Sequence, residues 1–367
     1  MCCFEKYRRE LTSDGVALGS GGGGMEQNRN SLVDALKGIC ILCVIVTHFG
    51  WRGSEWLKLL FPFWIGMAVP VFMVISGYVQ FLSFEKHQIE RFGQCYAAAF
   101  IVPKIIRYSV PFLMTMAFQL LVKIARRSFS WNSVIVVFRG GEGAGSYYFP
   151  IMMQFLFMYP VIYFLIKRRG FKGLVVCFLL NALYEFFQRL WFVSGNCYRL
   201  LVFRYISVIA FGAYLASEKA GNGTISANAK RIFGILSLAA GTAFLLLTQY
   251  MGYRPRIVIY WTSTCFIATL CVLPICAILL HKCAAFRCRA LEAVGKASFN
   301  IYFAQMVWFT VPRFSQMLFA DAGSRHRVIV LQNALNVAVC VCAGLVFYLI
   351  EQRITKRVVA AANARLR

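Results

Sequence analysis

The sequence predicts an all-α membrane protein, a polytopic helical bundle of about ten transmembrane helices with both termini in the cytosol. Apolar residues make up 60% of its 367 positions, charged residues only 14%, and the mean hydropathy is +0.65. A soluble domain of this length needs far more charge on its surface. Apolar runs long enough to cross a bilayer recur along the whole chain, so most of its surface is expected to face lipid.

Ten apolar segments lie near 31–50, 61–82, 106–123, 146–166, 172–189, 199–217, 231–250, 257–280, 298–319 and 328–350. With the N-terminus inside, the cytosolic loops and tails hold 24 of the 39 Lys and Arg residues and the outer loops hold 13. Cations concentrate on the cytosolic side of membrane proteins, so this asymmetry predicts cytosolic termini. The stretch 123–139, with four cations outside, fits this orientation least well.

The chain is predicted to carry one functional domain. Residues 1–30 are polar and Gly-rich and lack the compact apolar region of a signal peptide, which indicates a flexible N-terminal tail. Met25 is a second candidate start. Residues 31–357 are expected to form the transmembrane domain and 358–367 a basic cytosolic tail. No internal repeat is visible, so any chemistry must take place within this single bundle.

Charge and cysteine content exclude two other classes of function. The net charge is +25, but the cations lie in short loops that set orientation, so no nucleic-acid partner is expected. Most of the 14 cysteines lie inside apolar runs, where Cys packs as a small hydrophobic residue. Cys40 and Cys43 form a CxxC pair that no second pair follows, so no metal site is predicted.

Three ionisable residues occupy the first apolar segment. Lys37 and His48 are eleven residues apart, which places them about 20° apart around a helix and about 16 Å apart along it. Asp34 precedes Lys37 by three residues, within pairing distance on the same side. This stripe of carboxylate, cation and imidazole suits a ligand that enters lengthwise. Such groups are costly in a membrane and are functional candidates by default.

The stripe also has a purely structural interpretation. Asp34 and Lys37 would pair near the cytosolic surface, and His48 would reach toward the outer headgroups. However, His48 is the only one of four histidines within a predicted span, and imidazole is the usual general base near neutral pH. These facts favour a catalytic role for His48.

Six ordered segments resemble the acyltransferase-3 family of integral-membrane acyltransferases. The first span, LVDALKGICILCVIVTH at 32–48, is similar to the family's Leu-Asp-x-x-Arg-Gly-x start with a His eleven residues after the Arg. The other five follow in family order and cover most of the chain: VPVFMVISGY at 69–78, the basic pair Lys104 and Arg107 before Pro111, YYFPIMMQFLFMYP at 147–160, GKASFNIYFAQ at 295–305 and FYLIEQR at 347–353.

The sequence departs from the family pattern at three positions. Lys37 and Lys104 stand where Arg is usual, which keeps the charge but loses the planar fork that grips carboxylate or phosphate. Gln305 stands where many relatives have His, which argues against a proton-shuttling role there.

The resemblance implies acyl transfer, normally from acetyl-coenzyme A or another acyl-coenzyme A, to a hydroxyl of a cell-envelope glycan or related acceptor. His48 is then the expected general base, by direct transfer or through an acyl-His intermediate. Asp34 and Lys37 would orient one another beside the donor channel. Lys104 and Arg107 would bind the coenzyme phosphates, although positive-inside topology explains them equally well.

Several other polar residues allow both functional and structural interpretations. Ser76 and Gly77 are expected to bring helices close together rather than to supply a nucleophile. Tyr78, Tyr147 and Tyr302 are candidate oxyanion or sugar contacts, or interface anchors. Glu351 is predicted to pair with Arg353 or Lys356, and Glu185 has no explanation from sequence.

These observations predict a multi-pass enzyme of the cell inner (plasma) membrane, with lipid, acyl-coenzyme A and the acceptor as partners and no metal. The alternative is a lipid or glycan flippase or exporter, which also needs polar groups within a bundle. Transporters often show paired broken helices in matched halves, and this sequence shows no such symmetry. A non-enzymatic scaffold would not need the charged stripe of the first span.

Overall fold

The computed structural model describes residues 31–190, 195–221, 225–255, 262–283, 285–310 and 324–366, and all regular elements in these ranges are helical. The predicted tail 1–30 lies outside them. The helices are α1 Ser31–Thr47, α2 Gly53–Lys58, α3 Ala68–Lys86, α4 Ala98–Ala125, α5 Trp131–Phe138, α6 Tyr148–Arg169, α7 Phe171–Leu190, α8 Gly195–Leu200, α9 Ile206–Lys219, α10 Ala227–Leu245, α11 Phe266–Thr269, α12 Val272–Lys282, α13 Arg289–Lys296, α14 Ser298–Trp308 and α15 Arg325–Arg365.

Six stretches of the described residues are long and apolar enough to cross a membrane: Phe61–Lys86, Ala98–Ala125, Tyr148–Arg169, Phe171–Gln188, Ala227–Tyr250 and Arg327–Arg365. Each overlaps one of the ten predicted segments. The other four predicted segments hold shorter helices: α1 with 17 residues, α9 with 14, the pair α11 and α12, and α14 with 11. The protein is therefore a multi-pass helical bundle, and the count of ten spans remains a prediction.

Residues 358–365, predicted as a cytosolic tail, continue α15 without a break. At 1.5 Å per residue the 41 residues of this helix extend about 60 Å, roughly twice the thickness of the hydrocarbon core. Part of α15 must therefore extend beyond the bilayer.

Helices α3 and α9 are in backbone contact because each contributes a glycine to the crossing. A methyl group on Gly77 would overlap the carbonyl oxygen of Ile209, and one on Gly212 would overlap that of Val74. The predicted role of Gly77, close helix approach, is confirmed by this geometry. Neighbouring Ser76 donates its hydroxyl proton to the Phe72 carbonyl at 2.8 Å, a bond within its own helix rather than the contact of a nucleophile.

We expect Gly77→Ala to lower the free energy of unfolding by about 1–3 kcal/mol, because overpacking forces the α3 and α9 backbones apart. The matched control is Gly234→Ala in α10, where the added methyl would meet only the Pro274 side chain at 3.6 Å. The control should be neutral or slightly stabilising, since Ala favours a helix more than Gly does. Thermal unfolding of both detergent-purified variants tests this, and equal effects would contradict the crossing.

Helix α1 is packed between α3, α13, α14 and α15. Its contact with α13 again depends on glycine, because a methyl group on Gly295 would overlap the Asp34 carbonyl and one on Gly38 would overlap that of Leu291. This contact places α13, and the start of α14 that directly follows it, against the Asp34 end of α1. The charged stripe predicted from sequence therefore lies inside the bundle.

The predicted orientation leads to a direct test of topology. We expect single cysteines near Gly170 and Arg289 to be labelled only from the cytosol, and those near Trp56 and Arg254 only from outside. Labelling with an impermeant maleimide before and after permeabilisation measures this, in a background without the native cysteines. Labelling of the Gly170 loop from outside would overturn the orientation or the number of crossings.

Candidate functional site

Two adjoining cavities meet at His48. The central cavity, about 60 Å³, is lined by Ile41, Val44, His48, Val69, Phe72, Gly145, Tyr147, Tyr148, Ser298, Phe299 and Tyr302. The second, about 170 Å³ and here called the threonine cavity, is lined by Val44, Thr47, His48, Trp56, Ile65, Gly66, Ala68, Val69, Tyr147, Thr262, Ser263 and Thr264. His48 and Tyr147 line both, so one imidazole faces two compartments.

His48 lies in the turn that ends α1, where its backbone N–H donates to the Ile45 carbonyl at 3.2 Å. The imidazole ring lies 5.9 Å from the Phe309 ring, centroid to centroid. Within the described ranges its ring nitrogens make no hydrogen bond. A half-buried imidazole whose nitrogens have no partner among the described residues is available to accept a proton from a ligand in either cavity.

A glycine-rich loop borders the central cavity at Gly145. Gly140, Gly141, Gly143 and Gly145 all have φ between +87° and +109°, a region that L side chains rarely adopt. Gly145 lines the cavity, and its carbonyl accepts a hydrogen bond from the Tyr302 hydroxyl at 2.7 Å. The loop therefore brings backbone, rather than side chains, against Tyr302.

Helix α4 holds the same loop from its other side. The Gln119 amide donates to the Glu142 carbonyl at 2.8 Å and accepts from the Glu142 backbone N–H at 3.1 Å. Lys123 forms an ion pair with the Glu142 carboxylate. These contacts explain part of the basic 123–139 stretch that fitted the predicted orientation least well, since Lys123 has a structural partner.

The central cavity extends from His48 toward the Asp34 end of α1. Ser298 and Phe299 line it at the start of α14, three and four residues after Gly295, which packs on Asp34. Asp34 is buried and forms an ion pair with Lys37 at 3.8 Å. Of the predicted stripe, His48 therefore lies in the cavity lining, whereas the Asp34–Lys37 ion pair lies beyond the other end of the cavity and is not among its lining residues.

Lys104 and Arg107 lie toward the same end of the bundle as Lys37. The Lys104 Nζ lies 4.7 Å from the centroid of the Phe84 ring and 3.9 Å from that of Phe100. Phe84 follows Val69, a residue of the cavity lining, by 15 residues on α3, or about 22 Å along the axis. The Lys104 ammonium is buried and has no hydrogen-bond partner among the described residues.

Arg107 is exposed, and its neighbour Tyr108 leads from this cationic end to the cavity. The Tyr108 ring contacts the Phe299 ring edge-on at 5.6 Å, and Phe299 lines the central cavity. The two predicted phosphate-binding cations thus lie on the helix whose aromatic face borders the cavity.

Two carboxylates outside the long apolar helices form hydrogen bonds near the two ends of α1. Beyond its C-terminal end, Glu55 accepts two hydrogen bonds from Arg325, both at 2.8 Å, and these bonds lower the pKa of Glu55 to about 2. At its N-terminal end, Ser31 donates to Glu292 at 2.7 Å, which lowers the pKa of that carboxyl. Both carboxylates are therefore ionised at neutral pH, and their contacts join α2 to α15 and α1 to α13.

The structure shows the partners of two acidic residues, one with a predicted pairing and one without an explanation from sequence. The expected pairing of Glu351 with Arg353 or Lys356 is wrong: its carboxylate accepts from Asn300 at 3.3 Å and from the Thr355 hydroxyl. Asn300 and Thr355 face the interior, whereas Arg353 and Lys356 are exposed. Glu185, unexplained from sequence, accepts a hydrogen bond from the Tyr198 hydroxyl inside the bundle.

Gln305, which departs from the family pattern, is fully buried on α14. Neither its amide nitrogen nor its amide oxygen has a hydrogen-bond partner in the described part of the chain. A methyl group on Gly145 would lie 3.8 Å from the amide nitrogen. A buried amide with both groups unsatisfied costs stability, so Gln305 is a candidate contact for the glycine-rich loop or a ligand.

Sequence reasoning identified His48, Tyr147 and Tyr302 of the two cavity linings but missed Tyr148, the glycine-rich loop and Thr262–Thr264. Predicted Tyr78 is buried elsewhere in the core and lines neither cavity. The signal for the loop was present in GGEGAGS at 140–146, since four glycines in seven residues exceed what one turn needs. The run Thr262–Ser263–Thr264 carried no recognisable pattern.

The described residues contain no group of three or more His, Cys, Asp or Glu side chains that could hold a metal ion. The fold and the cavities define a multi-pass helical membrane protein with an internal, imidazole-containing site. The acyltransferase domain model Acyl_transf_3 matches residues 30–350, and the chain belongs to this acyltransferase-3 family. Comparisons with curated proteins and with solved structures give no match. Family membership supports a membrane acyltransferase.

Proposed function

We propose that the protein transfers an acyl group, normally acetyl, from acyl-coenzyme A to a hydroxyl of a cell-envelope glycan or related acceptor. The observation that carries this proposal is the central cavity, which has His48 at one end and Phe299, in contact with Tyr108, at the other. The coenzyme phosphates would bind at the cationic end, near Lys104 and Arg107, on the cytosolic side of the inner (plasma) membrane. The acyl chain would extend toward His48.

In the proposed reaction, His48 accepts the proton of the acceptor hydroxyl as its oxygen attacks the thioester carbonyl carbon. A carbon–oxygen bond forms, and the carbon–sulfur bond breaks when the tetrahedral intermediate collapses. The proton passes from the imidazolium to the coenzyme thiolate, so the products are an ester and free coenzyme A. An acyl-His intermediate would divide the same net reaction into two transfers.

The developing oxyanion needs hydrogen-bond donors. The Tyr147 and Tyr148 hydroxyls are candidates because both residues line the central cavity beside His48. The Tyr302 hydroxyl already donates to Gly145, so its proposed role is to hold the loop in place.

The direct test follows thiol release from acetyl-coenzyme A by the detergent-purified protein, with acyl products identified by mass spectrometry. We expect consumption that depends on added acceptor extract and on His48. His281→Ala is the matched control, because His281 is exposed on α12 and lines neither cavity. A protein that leaves acetyl-coenzyme A intact yet moves lipid or glycan in vesicles would instead be the alternative flippase or exporter.

A further prediction concerns the charge at Lys37. We expect Lys37→Arg to keep most of the acyl-transfer activity and Lys37→Met to lose it, because Lys37 pairs with buried Asp34 and sets the field beyond the cavity end. Initial rates at several donor concentrations measure both variants. Equal tolerance of the two substitutions would reduce Lys37 to a surface anchor.

A further inference from the structure

The threonine cavity has a wall of three consecutive hydroxyl side chains. Thr262, Ser263 and Thr264 line it together with Val44 and His48, and the Thr262 and Thr264 hydroxyl oxygens are 3.0 Å apart. The other walls supply Tyr147 and the Trp56 indole, which packs edge-on against Phe61 at 5.3 Å. The surface of this cavity is mainly apolar, as is that of the central cavity, but its lining includes three hydroxyl side chains in sequence and an indole.

A buried arginine supports this wall through hydrogen bonds to Thr264. Arg204, only 4% exposed, lies in the turn that precedes α9, and its Nη2 donates to both the Thr264 hydroxyl and the Thr264 carbonyl. The Arg204 guanidinium carbon lies 4.8 Å from the ring centroids of Tyr198 and of Tyr205. Its Nε has no hydrogen-bond partner in the described ranges.

The charge of Arg204 is matched by a carboxylate in the same cluster. The Tyr198 hydroxyl donates to buried Glu185, so Tyr198 connects carboxylate and guanidinium. Burying both ions inside a membrane bundle costs folding free energy, and apolar side chains of similar size would fill this space more cheaply. The pair therefore points to a role other than stability.

A guanidinium has only donors, so the Thr264 hydroxyl oxygen accepts from Arg204 and its single proton is left to donate. Between the Thr262 and Thr264 hydroxyls either oxygen can be the donor, and both arrangements leave one hydroxyl proton of the pair for the cavity. The bond to the guanidinium polarises the pair, so this proton is donated more strongly than that of an isolated threonine.

We propose that the threonine cavity is the acceptor subsite, that it takes a polyhydroxylated ring such as a sugar, and that Arg204 is its positioning residue. One hydroxyl of the Thr262–Thr264 pair would donate to a ring or hydroxyl oxygen, Trp56 would cover an apolar ring face, and the reacting hydroxyl would reach His48. This inference rests on the proposed acyl transfer for the identity of the reaction, whereas the binding step can be measured without it.

The binding test compares two alcohols that each carry a hydroxymethyl group on a six-membered ring: methyl β-D-glucopyranoside and cyclohexylmethanol. We expect the purified protein, without donor, to bind the glucoside at least about tenfold more tightly, because a site built for hydrogen bonds rejects a ligand that leaves them unmade. Thr264→Val should weaken glucoside binding by about threefold to tenfold and leave cyclohexylmethanol unchanged. Calorimetry measures both.

Thr269→Val is the matched control. Its hydroxyl is buried, donates to the Phe266 carbonyl of its own helix and lines neither cavity, so the substitution should not change the ratio of the two affinities. Arg204→Lys tests the positioning role, because lysine keeps the charge without the fork. If Arg204 acts through Thr264, the double variant should bind the glucoside no more weakly than Thr264→Val alone.

Equal affinity of the wild-type protein for the two alcohols, or no binding of the glucoside, would overturn the acceptor subsite. Independent, additive losses for Arg204→Lys and Thr264→Val would overturn the positioning role. If the protein bound the glucoside selectively but never consumed acetyl-coenzyme A, the threonine cavity would still be a sugar-binding site, and the proposed acyl transfer would be wrong. If Thr264→Val left the rate of acyl transfer unchanged, the proposed function would stand and the acceptor subsite would be overturned.

Discussion

His48→Ala is expected to lower the turnover of acyl transfer by at least about a hundredfold while acetyl-coenzyme A still binds. A general base contributes roughly a hundredfold to ten-thousandfold, and this contribution appears in turnover rather than in donor affinity. The structure gives the reason for the separation: His48 lines both cavities, whereas Lys104 packs on Phe84, about 22 Å along α3 from the cavity residue Val69.

Stopped thiol-release assays give the turnover of the His48 variant, and calorimetry against acetyl-coenzyme A gives its donor affinity. His48→Gln is a useful companion because it keeps a polar side chain but cannot act as a base, so it should lose as much turnover as His48→Ala. Loss of donor binding in both variants, with His281→Ala unaffected, would mean that His48 is a binding residue. Normal turnover in both would remove it from the mechanism.

Lys104→Met is expected to weaken the affinity for acetyl-coenzyme A by about tenfold to a hundredfold, because it removes a charge-assisted contact to a phosphate. The substitution should not destabilise the folded protein. The Lys104 ammonium is buried against Phe84 and Phe100 without a hydrogen-bond partner in the described ranges, and methionine fills the same space without a charge. Its free energy of unfolding should therefore be unchanged or higher.

Opposite changes in donor affinity and stability would identify Lys104 as a binding residue retained at a cost to folding. Lys219→Met is the matched control, since Lys219 is an exposed lysine at the end of α9, and it should change neither quantity. Arg107→Ala should weaken donor affinity with turnover at saturating donor preserved. Unchanged donor affinity in both Lys104→Met and Arg107→Ala would leave these cations with a role in orientation alone.

The sequence alone determined the features that depend on composition and on neighbours along the chain. An apolar majority with few charges requires a lipid-facing helical bundle, because only helices and closed barrels satisfy the backbone within a membrane. Spacing along one helix likewise predicted that Asp34 and Lys37 pair. The order of six weak motifs indicated the family that the domain match at 30–350 shows.

Only the tertiary structure decided which distant residues meet. The contact of Tyr302 with Gly145 joins residues 157 positions apart, and that of Arg204 with Thr264 joins residues 60 apart. Hydrophobic periodicity is weak in helices that are apolar on all sides, so it does not show which face of each helix turns inward. In this bundle that choice is made by close glycine contacts, such as Gly295 against Asp34, which depend on both partners and leave no signal in either helix alone.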